Sequence, residues 1–369
     1  MTNEATHPSG LEGVVVAETR LSDVDGENGR LVIAGHDVER LAEERRFEQV
    51  CALLWEAPED EVRRRVGEGR ARAFGRLARM GDALARASGM DALRAGLAHL
   101  EASGDALDDA AWLTGATGVL AAAWVRGRSG DSAVAPDASR SHAEDVLRMA
   151  TGTAPLPERA RALDAYLVTV SDHGMNASTF AARVVTSTGS DMVSAVVAAV
   201  GALKGPLHGG APGPVLDMLD AVGAAENARP WIARELAQGR RIMGMGHRVY
   251  RVRDPRAAVF ERRVEELAES MARREDAGAR ATRARLALAR AVERAAEEEL
   301  RARHPDRPLK ANVEFFTAVL LEAVGLPREA FTPAFAVGRV AGWCAHVTEQ
   351  RARGRLIRPA SRYVGAPPC

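Results

Sequence analysis

Behind the dipeptide Asp254-Pro255, the residues Ala257, Phe260, Val264, Leu267 and Met271 recur at steps of three and four. That spacing puts all five on one stripe of an α-helix, with the aspartate as cap and the proline in a first turn that does not need its N–H. The same punctuation recurs along the chain. Pro230 predicts a helix beginning at its first position, with Trp231, Ile232 and Leu236 on one face and Gly239 ending it. A long charged helix is predicted over Thr282 to Arg303, with Leu286, Ala289, Val292, Ala296 and Leu300 inward and its arginines and glutamates forming a solvated face. Asn312 can cap a helix whose inner face is Phe316, Val319, Leu320 and Ala323, stopped by Gly325 and Pro327. Nearly everything after Asp37 reads this way, apart from a surface loop over Arg126 to Arg140. The one convincing strand signal precedes it. Val14 to Ala17 and Leu31 to Ala34 are short apolar runs on either side of Asp23-Val24-Asp25-Gly26-Glu27-Asn28-Gly29, which predicts a small hairpin. The expectation is an almost all-helical protein.

Composition sharpens that picture. Aromatics are only 4 %, while alanine, leucine and arginine, all strong helix formers, dominate. At 369 residues the chain exceeds the usual single core, so two domains, or one with a large insert, are expected. Fifty basic residues against fifty acidic ones leave no nucleic-acid or membrane signature. Cys51, Cys344 and Cys369 show neither metal nor disulfide spacing, which suits a reducing cytoplasm. Met1 to Gly10 is polar and lacks the apolar stretch of a signal peptide, and no apolar run approaches the roughly 18 residues of a membrane span. A soluble, cytoplasmic protein is expected.

Three histidines sit beside glycine in loop-like settings: His173 in SDHGMNAST, His208 in KGPLHGG and His247 in MGMGHRVYRVRDPR. Glycine there lets backbone approach a ligand closely, which a histidine on a helix face would not need. A carboxylate in KANVEFF and isolated arginines downstream join them. Carbon–carbon bond formation from a thioester needs a base for the α-proton, a donor to the enol oxygen and a second donor to the acceptor carbonyl. One carboxylate and two imidazoles supply those roles, and arginine forks would bind a dicarboxylate acceptor. HExxH, CxxC, GxSxG and the P-loop are all absent, and Gly244-Met245-Gly246 lacks the remaining glycine of a dinucleotide fingerprint. Cys344 and His346 are two apart, hence on different faces of a helix, and make no dyad. The segment RARGRLIRPASR, Arg351 to Arg362, reads equally as a solvated tail or as an anion-binding element.

At this point the motifs closely resemble the citrate synthase family. LEGVVVAETRLSDVDGENGRLVIAGHDVERLAE looks like its opening hairpin, and SDHGMNASTFAARVVTSTGSD, GALKGPLHGGAP, IMGMGHRVYRVRDPRA, NVEFF, FTPAFAVGRVAGW and RLIRPASRYVG follow in the family's order. The resemblance implies that His208 hydrogen-bonds the thioester carbonyl as a neutral imidazole, that His247 donates to the oxaloacetate carbonyl, and that Glu314 is the base. It implies that His173, Arg256 and Arg339 hold substrate carboxylates and that Phe335 packs beside the base. Met243, Gly244, Met245 and Gly246 would wrap coenzyme A. Arg358 would reach into the neighbouring subunit of a homodimer. The implied architecture is an all-α, two-domain helical fold with a small N-terminal β-hairpin. Its large domain would take residues 1–210 and 318–369, and its small domain residues 211–317. No permanently bound cofactor and no metal are implied; the coenzyme A thioester is a substrate.

One departure matters. The best-understood members carry aspartate where this chain has Glu314, and the extra methylene moves the oxygens by roughly an ångström, a displacement that can cost about a hundredfold. If Asn312 caps its helix, Glu314 lies in the first turn, where the dipole favours an ionised carboxylate. The implied reaction is condensation of acetyl-CoA with oxaloacetate. The alternatives are a 2-methylcitrate synthase using propionyl-CoA, and a catalytically weak paralogue that binds coenzyme A or diacids, for which Glu314 is the sole support. Nucleic-acid binding through the arginine-rich tail sits poorly with a neutral chain.

Overall fold

The computed structural model of the chain describes residues 9–11, 13–209, 212–247, 250–275, 277–306 and 309–366. Among them are fifteen α-helices and one three-stranded antiparallel sheet, an all-α fold with a small N-terminal β element. No helix among the described residues is long and apolar enough to cross a membrane.

Two helices of the core are buried on every side, Ala106–Arg128 and Phe331–Arg353. Both depend on small residues where another backbone passes. A Cβ at Gly115 would lie 2.6 Å from the Arg70 backbone nitrogen of the helix Glu59–Phe74, so only glycine allows that crossing. On Phe331–Arg353, a Cβ at Gly338 would lie 2.5 Å from Val170 Cγ2, and one at Gly342 would lie 2.2 Å from the Ser171 carbonyl oxygen. The end of the helix Pro157–Val170, and the loop carrying His173 behind it, therefore sit against the long helix. Phe335, Arg339, Gly342 and His346 follow at steps of four, three and four, so this same face carries its polar side chains inward.

The second half of the chain packs the helices Pro255–Arg273, Gly278–Arg303 and Val313–Ala323 against one another. The stripe Ala257, Phe260, Val264, Leu267 and Met271 is buried, as are Leu286, Ala289, Val292, Ala296 and Leu300. Asp254 caps Pro255–Arg273 by accepting from the Arg256 N–H, and Asn312 caps Val313–Ala323 by accepting from the Glu314 N–H. Both caps stand as expected from their sequence.

Several boundaries move. The hairpin exists, but its first strand is Ser22–Asp25, pairing with Arg30–Ile33, and His36–Asp37 adds a third strand. Val14 to Ala17 is not a strand; Val14 and Val15 are exposed there. The register explains this. Asp25 pairs with Arg30 across Gly26–Gly29, so Leu31 to Ile33 face the residues just ahead of that turn. The helix expected at Pro230 starts at Ala228, with the proline still inside the first turn, where N–H groups lack intrahelical acceptors. The charged helix starts four residues early, at Gly278, and Arg126 to Arg128 still belong to the helix preceding their loop. Cys51 and Cys344 are buried thiols, whereas Cys369 lies outside the described residues.

The hairpin turn bears on the next section. The Arg251 N–H donates to the Gly26 carbonyl at 2.9 Å, and Gly29 lies so close to Val252 that a Cβ there would meet its Cγ2 at 2.4 Å. Gly342→Ala should lower stability by about 1–3 kcal/mol, because its Cβ must push a backbone carbonyl aside. Gly127→Ala, with open space around its Cβ, should be neutral or stabilising by up to about 1 kcal/mol. Denaturant unfolding of both variants beside the parent chain checks the pair.

Candidate active site

Three stretches distant in sequence are tied together by backbone hydrogen bonds. Met245 and Ala311 form an isolated antiparallel bridge. The Gly246 N–H donates to the Lys310 carbonyl at 2.7 Å, and the Asn312 N–H donates to the Gly244 carbonyl at 2.9 Å. Asn312 Nδ2 donates to the Gly246 carbonyl at 2.9 Å while its Oδ1 accepts from the Glu314 N–H at 3.0 Å. Gly244 and Gly246 take φ values of 73° and 83°, a region that L side chains rarely adopt, and a Cβ at Gly244 would lie 2.9 Å from Phe315 Cδ2. The Met243–Gly246 loop is therefore fixed against the N-terminus of the helix that carries Glu314.

Asp254 adds the third stretch. Its Oδ1 accepts from Arg256 Nε at 2.9 Å and its Oδ2 from Arg256 Nη2 at 2.7 Å, a two-pronged pair inside the protein. Its Oδ2 also accepts from the Val313 N–H at 3.2 Å. The Asp254 N–H donates to the Ala311 carbonyl at 3.2 Å.

The histidines converge on this junction. The His173 and His247 rings lie 5.9 Å apart edge to face, and His173 Nε2 is 3.2 Å from the Tyr250 hydroxyl. The Tyr250 N–H donates to His247 Nδ1 at 3.0 Å, so the ring proton of neutral His247 sits on Nε2. Burial, assisted by the Arg256 charge, pulls His247 down to about 4. On the opposite side, His208 Nε2 is 2.8 Å from the Ser178 hydroxyl and accepts from the Ser178 N–H at 3.3 Å. Neutral His208 accordingly carries its proton on Nδ1. Burial, then the Arg339 charge, pulls it down to about 4 as well. His173 is held well below the ordinary histidine value by burial and by Arg256 and Arg339. At neutral pH all three are uncharged, two of them in a defined tautomer.

Arg339 is 1 % exposed. Its Nε donates to the Val170 carbonyl at 2.6 Å, and its Cζ lies 4.8 Å from the centre of the Phe335 ring, which in turn lies 6.4 Å from the His208 ring. Its Nη2 is buried with no hydrogen-bond partner among the described residues. Burial pulls the group down to about 10, against the opposing pull of Asp172. A buried guanidinium left open on one nitrogen is an anion receptor by its chemistry. Glu314, 9 % exposed, receives no hydrogen bond on its carboxylate among the described residues. Burial carries it from an ordinary value near 4.5 up to about 7, with Arg256 and Arg339 pulling down and Asp254 pushing up.

The structure thus brings together His173, His208, His247, Glu314, Arg256, Arg339, Phe335 and the Met243–Gly246 loop. It leaves Arg358 apart, exposed on the segment after the last helix, beside a surface groove shared with Val14, Arg20 and Arg353. Tyr250, Ser178 and the multiple bonding of Asp254 were missed at the level of sequence. Tyr250 had one signal, its place three residues after His247. Asp254 was read as a cap alone, and Ser178 lay inside a motif read only for its histidine.

The citrate synthase C-terminal domain family model matches residues 10–360. The chain belongs to the citrate synthase family. It is 37 % identical to the citrate synthase of Haloferax volcanii, over 96 % of this chain and 95 % of that one. It is 36 % identical to the 2-methylcitrate synthase of Mycobacterium tuberculosis, over 96 % and 90 %. Its structure is similar to that of citrate synthase from Thermoplasma acidophilum, solved as a ternary complex with carboxymethyl coenzyme A and oxaloacetate, with TM-score 0.81, 30 % identity and 98 % and 96 % coverage. As a member of the citrate synthase family it is an acyltransferase.

The raised Glu314 value fixes a sign. Between about pH 4.5 and 7 the folded protein holds a proton that the unfolded chain has lost, so stability falls as pH rises through that window. Glu314→Gln removes the term and should be the more stable protein at pH 8, by up to about 3 kcal/mol, with the gap closing near pH 4. Denaturant unfolding at the two pH values measures it, and a gap independent of pH contradicts the raised value.

Proposed function

We propose that this enzyme condenses acetyl-CoA with oxaloacetate and water to give citrate and coenzyme A, and that the residues just described do the chemistry. Glu314 takes a proton from the acetyl methyl group as the His208 Nδ1–H donates to the thioester oxygen, giving the enol. The enol carbon attacks the oxaloacetate carbonyl carbon, whose oxygen gains charge against the His247 Nε2–H. Water then cleaves the C–S bond and coenzyme A leaves as the thiol. His173, Arg256 and Arg339 hold the substrate carboxylates, Phe335 packs beside the base, and Met243 to Gly246 wrap the coenzyme A moiety. No permanently bound cofactor takes part. The observation that carries this reading is the pair of neutral imidazoles with assigned ring protons beside one buried carboxylate of raised pKa. The ligands of the Thermoplasma acidophilum complex, a coenzyme A derivative and oxaloacetate, are of the same two classes.

The same reading makes residues 211–317 a small domain that closes over residues 1–210 and 318–369, shedding water around the enol. Ala211, the first residue of that segment, lies outside the described residues. Two subunits form the working unit, with the exposed Arg358 of each entering the other's site. Buried, unpaired Cys51 and Cys344 support a cytoplasmic setting. Glutamate in place of aspartate does not favour an inactive binding protein, because Glu314 is buried among the reacting groups.

Propionyl-CoA is the second substrate to test. The 2-methylcitrate synthase relative, at 36 % identity, is nearly as similar to this chain as the citrate synthase one at 37 %, and a single methylene in an acyl pocket is worth only about 1–3 kcal/mol. Free thiol should be released from acetyl-CoA only when oxaloacetate is present; release no faster than background overturns the proposal. Running propionyl-CoA in parallel ranks the two thioesters by kcat/KM. Glu314→Gln should abolish turnover while oxaloacetate still binds, and the parent kcat should fall on acidification with an apparent pKa near 7.

A further inference from the structure

His173 stands between two residues held by one hydroxyl. Ser22 Oγ donates to Asp172 Oδ2 at 2.5 Å and accepts from the Gly174 N–H at 2.8 Å. These two bonds close a ring through the Asp172 side chain, the Ser22 oxygen and the backbone between, and the Cα of His173 is a member of that ring. Asp172 is fully buried and is gripped from a second direction, because His346 Nε2 lies 3.2 Å from Oδ1 and 3.1 Å from Oδ2. The His346 ring cannot turn over, since its Nδ1 faces Arg183 Nε at 3.0 Å and Nη2 at 2.7 Å. Two guanidinium donors on Nδ1 put the ring proton on Nε2, where it donates to Asp172. Arg183 is held in turn by Gln350 Oε1 at 3.1 Å and by the Glu349 carboxylate.

None of these groups has a role of its own in the proposed condensation. Such a buried polar assembly is nonetheless costly unless every member is satisfied. It meets the site at two points, the backbone on either side of His173, by bonds, and the Arg339 guanidinium, by the charge of Asp172.

We infer that Ser22 and His346 are positioning residues that act through Asp172 to set where His173 presents its ring to the oxaloacetate carboxylate. The N-terminal sheet, which has no reacting group of its own, thereby takes part in substrate recognition. This rests on the reading of His173 as an oxaloacetate ligand.

The two residues can be tested separately. Ser22 lies on a partly exposed edge of the sheet, so Ser22→Ala should fold. His346→Leu removes both the donor and the acceptor, whereas the amide of His346→Gln can offer N–H to Asp172 and oxygen to Arg183. Ser22→Ala should raise KM for oxaloacetate by about tenfold and leave KM for acetyl-CoA within about twofold, the size expected when a ligand group loses its orientation. His346→Leu should do the same or more, and His346→Gln should recover most of the loss. The double variant Ser22→Ala/His346→Leu should show less than the product of the single effects, because both act through one carboxylate. A merely structural role predicts lower unfolding midpoints with both KM values moving together, or with neither moving. Either result overturns the inference, even if only Ser22→Ala yields folded protein. His173→Asn serves as the control. If it leaves KM for oxaloacetate unchanged, the site assignment itself is wrong and the inference falls with it. If it raises that KM while Ser22→Ala and His346→Gln match the parent and His346→Leu moves both KM values alike, the site stands and the positioning role does not.

Discussion

The site is organised around the carboxylate of Asp254. It caps one helix, receives the N–H that opens another, and holds the Arg256 guanidinium by two parallel bonds, all without solvent. Arg256 lies two residues along the chain, whereas Val313 comes from a segment 59 residues away. Replacing these bonds with water is not possible at a fully buried group, so losing this carboxylate would strand a buried cation and two helix termini together. The loop before His247, Glu314 on its helix and the arginine beside them keep a common frame for that reason.

The electrostatics follow from the same frame. Asp254 compensates Arg256, which leaves Arg339 as the buried cation whose Nη2 has no partner. Burial does most of the work on the imidazoles and on Glu314; Arg256 and then Arg339 add to the lowering of His173 and restrain the rise of Glu314, and Arg339 adds to the lowering of His208. The opposed shifts suit the proposed chemistry. Histidines that must donate to carbonyl oxygens are neutral at any physiological pH, and the carboxylate that must accept a proton titrates close to neutrality. An incoming dicarboxylate would meet guanidinium groups positioned by helices and would not have to organise them.

Local signals were legible in the sequence wherever the partner lay within a turn or two. Asn312 and Asp254-Pro255 announced their helices, and the apolar stripes of Pro255–Arg273 and Gly278–Arg303 lie where periodicity put them. Val14 to Ala17 misled because an apolar run says nothing about which segment it pairs with; the turn at Gly26–Gly29 made that choice. The fold class and most of the site could be expected from motif order. What stayed hidden were contacts across the chain. Tyr250 meets His173 from 77 residues away, Ser178 meets His208 from 30, and His346 meets Asp172 from 174. His346 was set aside as half of a failed dyad with Cys344, because spacing along a helix identifies faces and not what a face meets.

The glutamate at position 314 can be understood in these terms. Its backbone is fixed from three directions, by Asn312 accepting from its own N–H, by Asp254 accepting from the Val313 N–H, and by Phe315 packed against Gly244 so closely that a Cβ there would clash. A shift of the helix to absorb one extra methylene would break those contacts together, so the longer side chain has to reach further into the cleft. Under the proposed roles, the thioester would then lie correspondingly further from the helix start. The Met243–Gly246 loop is bonded to residues 310 and 312 and cannot retreat from that helix independently. Accommodation therefore falls on the side where Phe335 and His208 stand, the His208 ring being hydrogen-bonded to Ser178 and packed against Phe335. Under the proposed roles, where the His208 ring stands relative to Glu314 depends on the contact between Ser178 and His208.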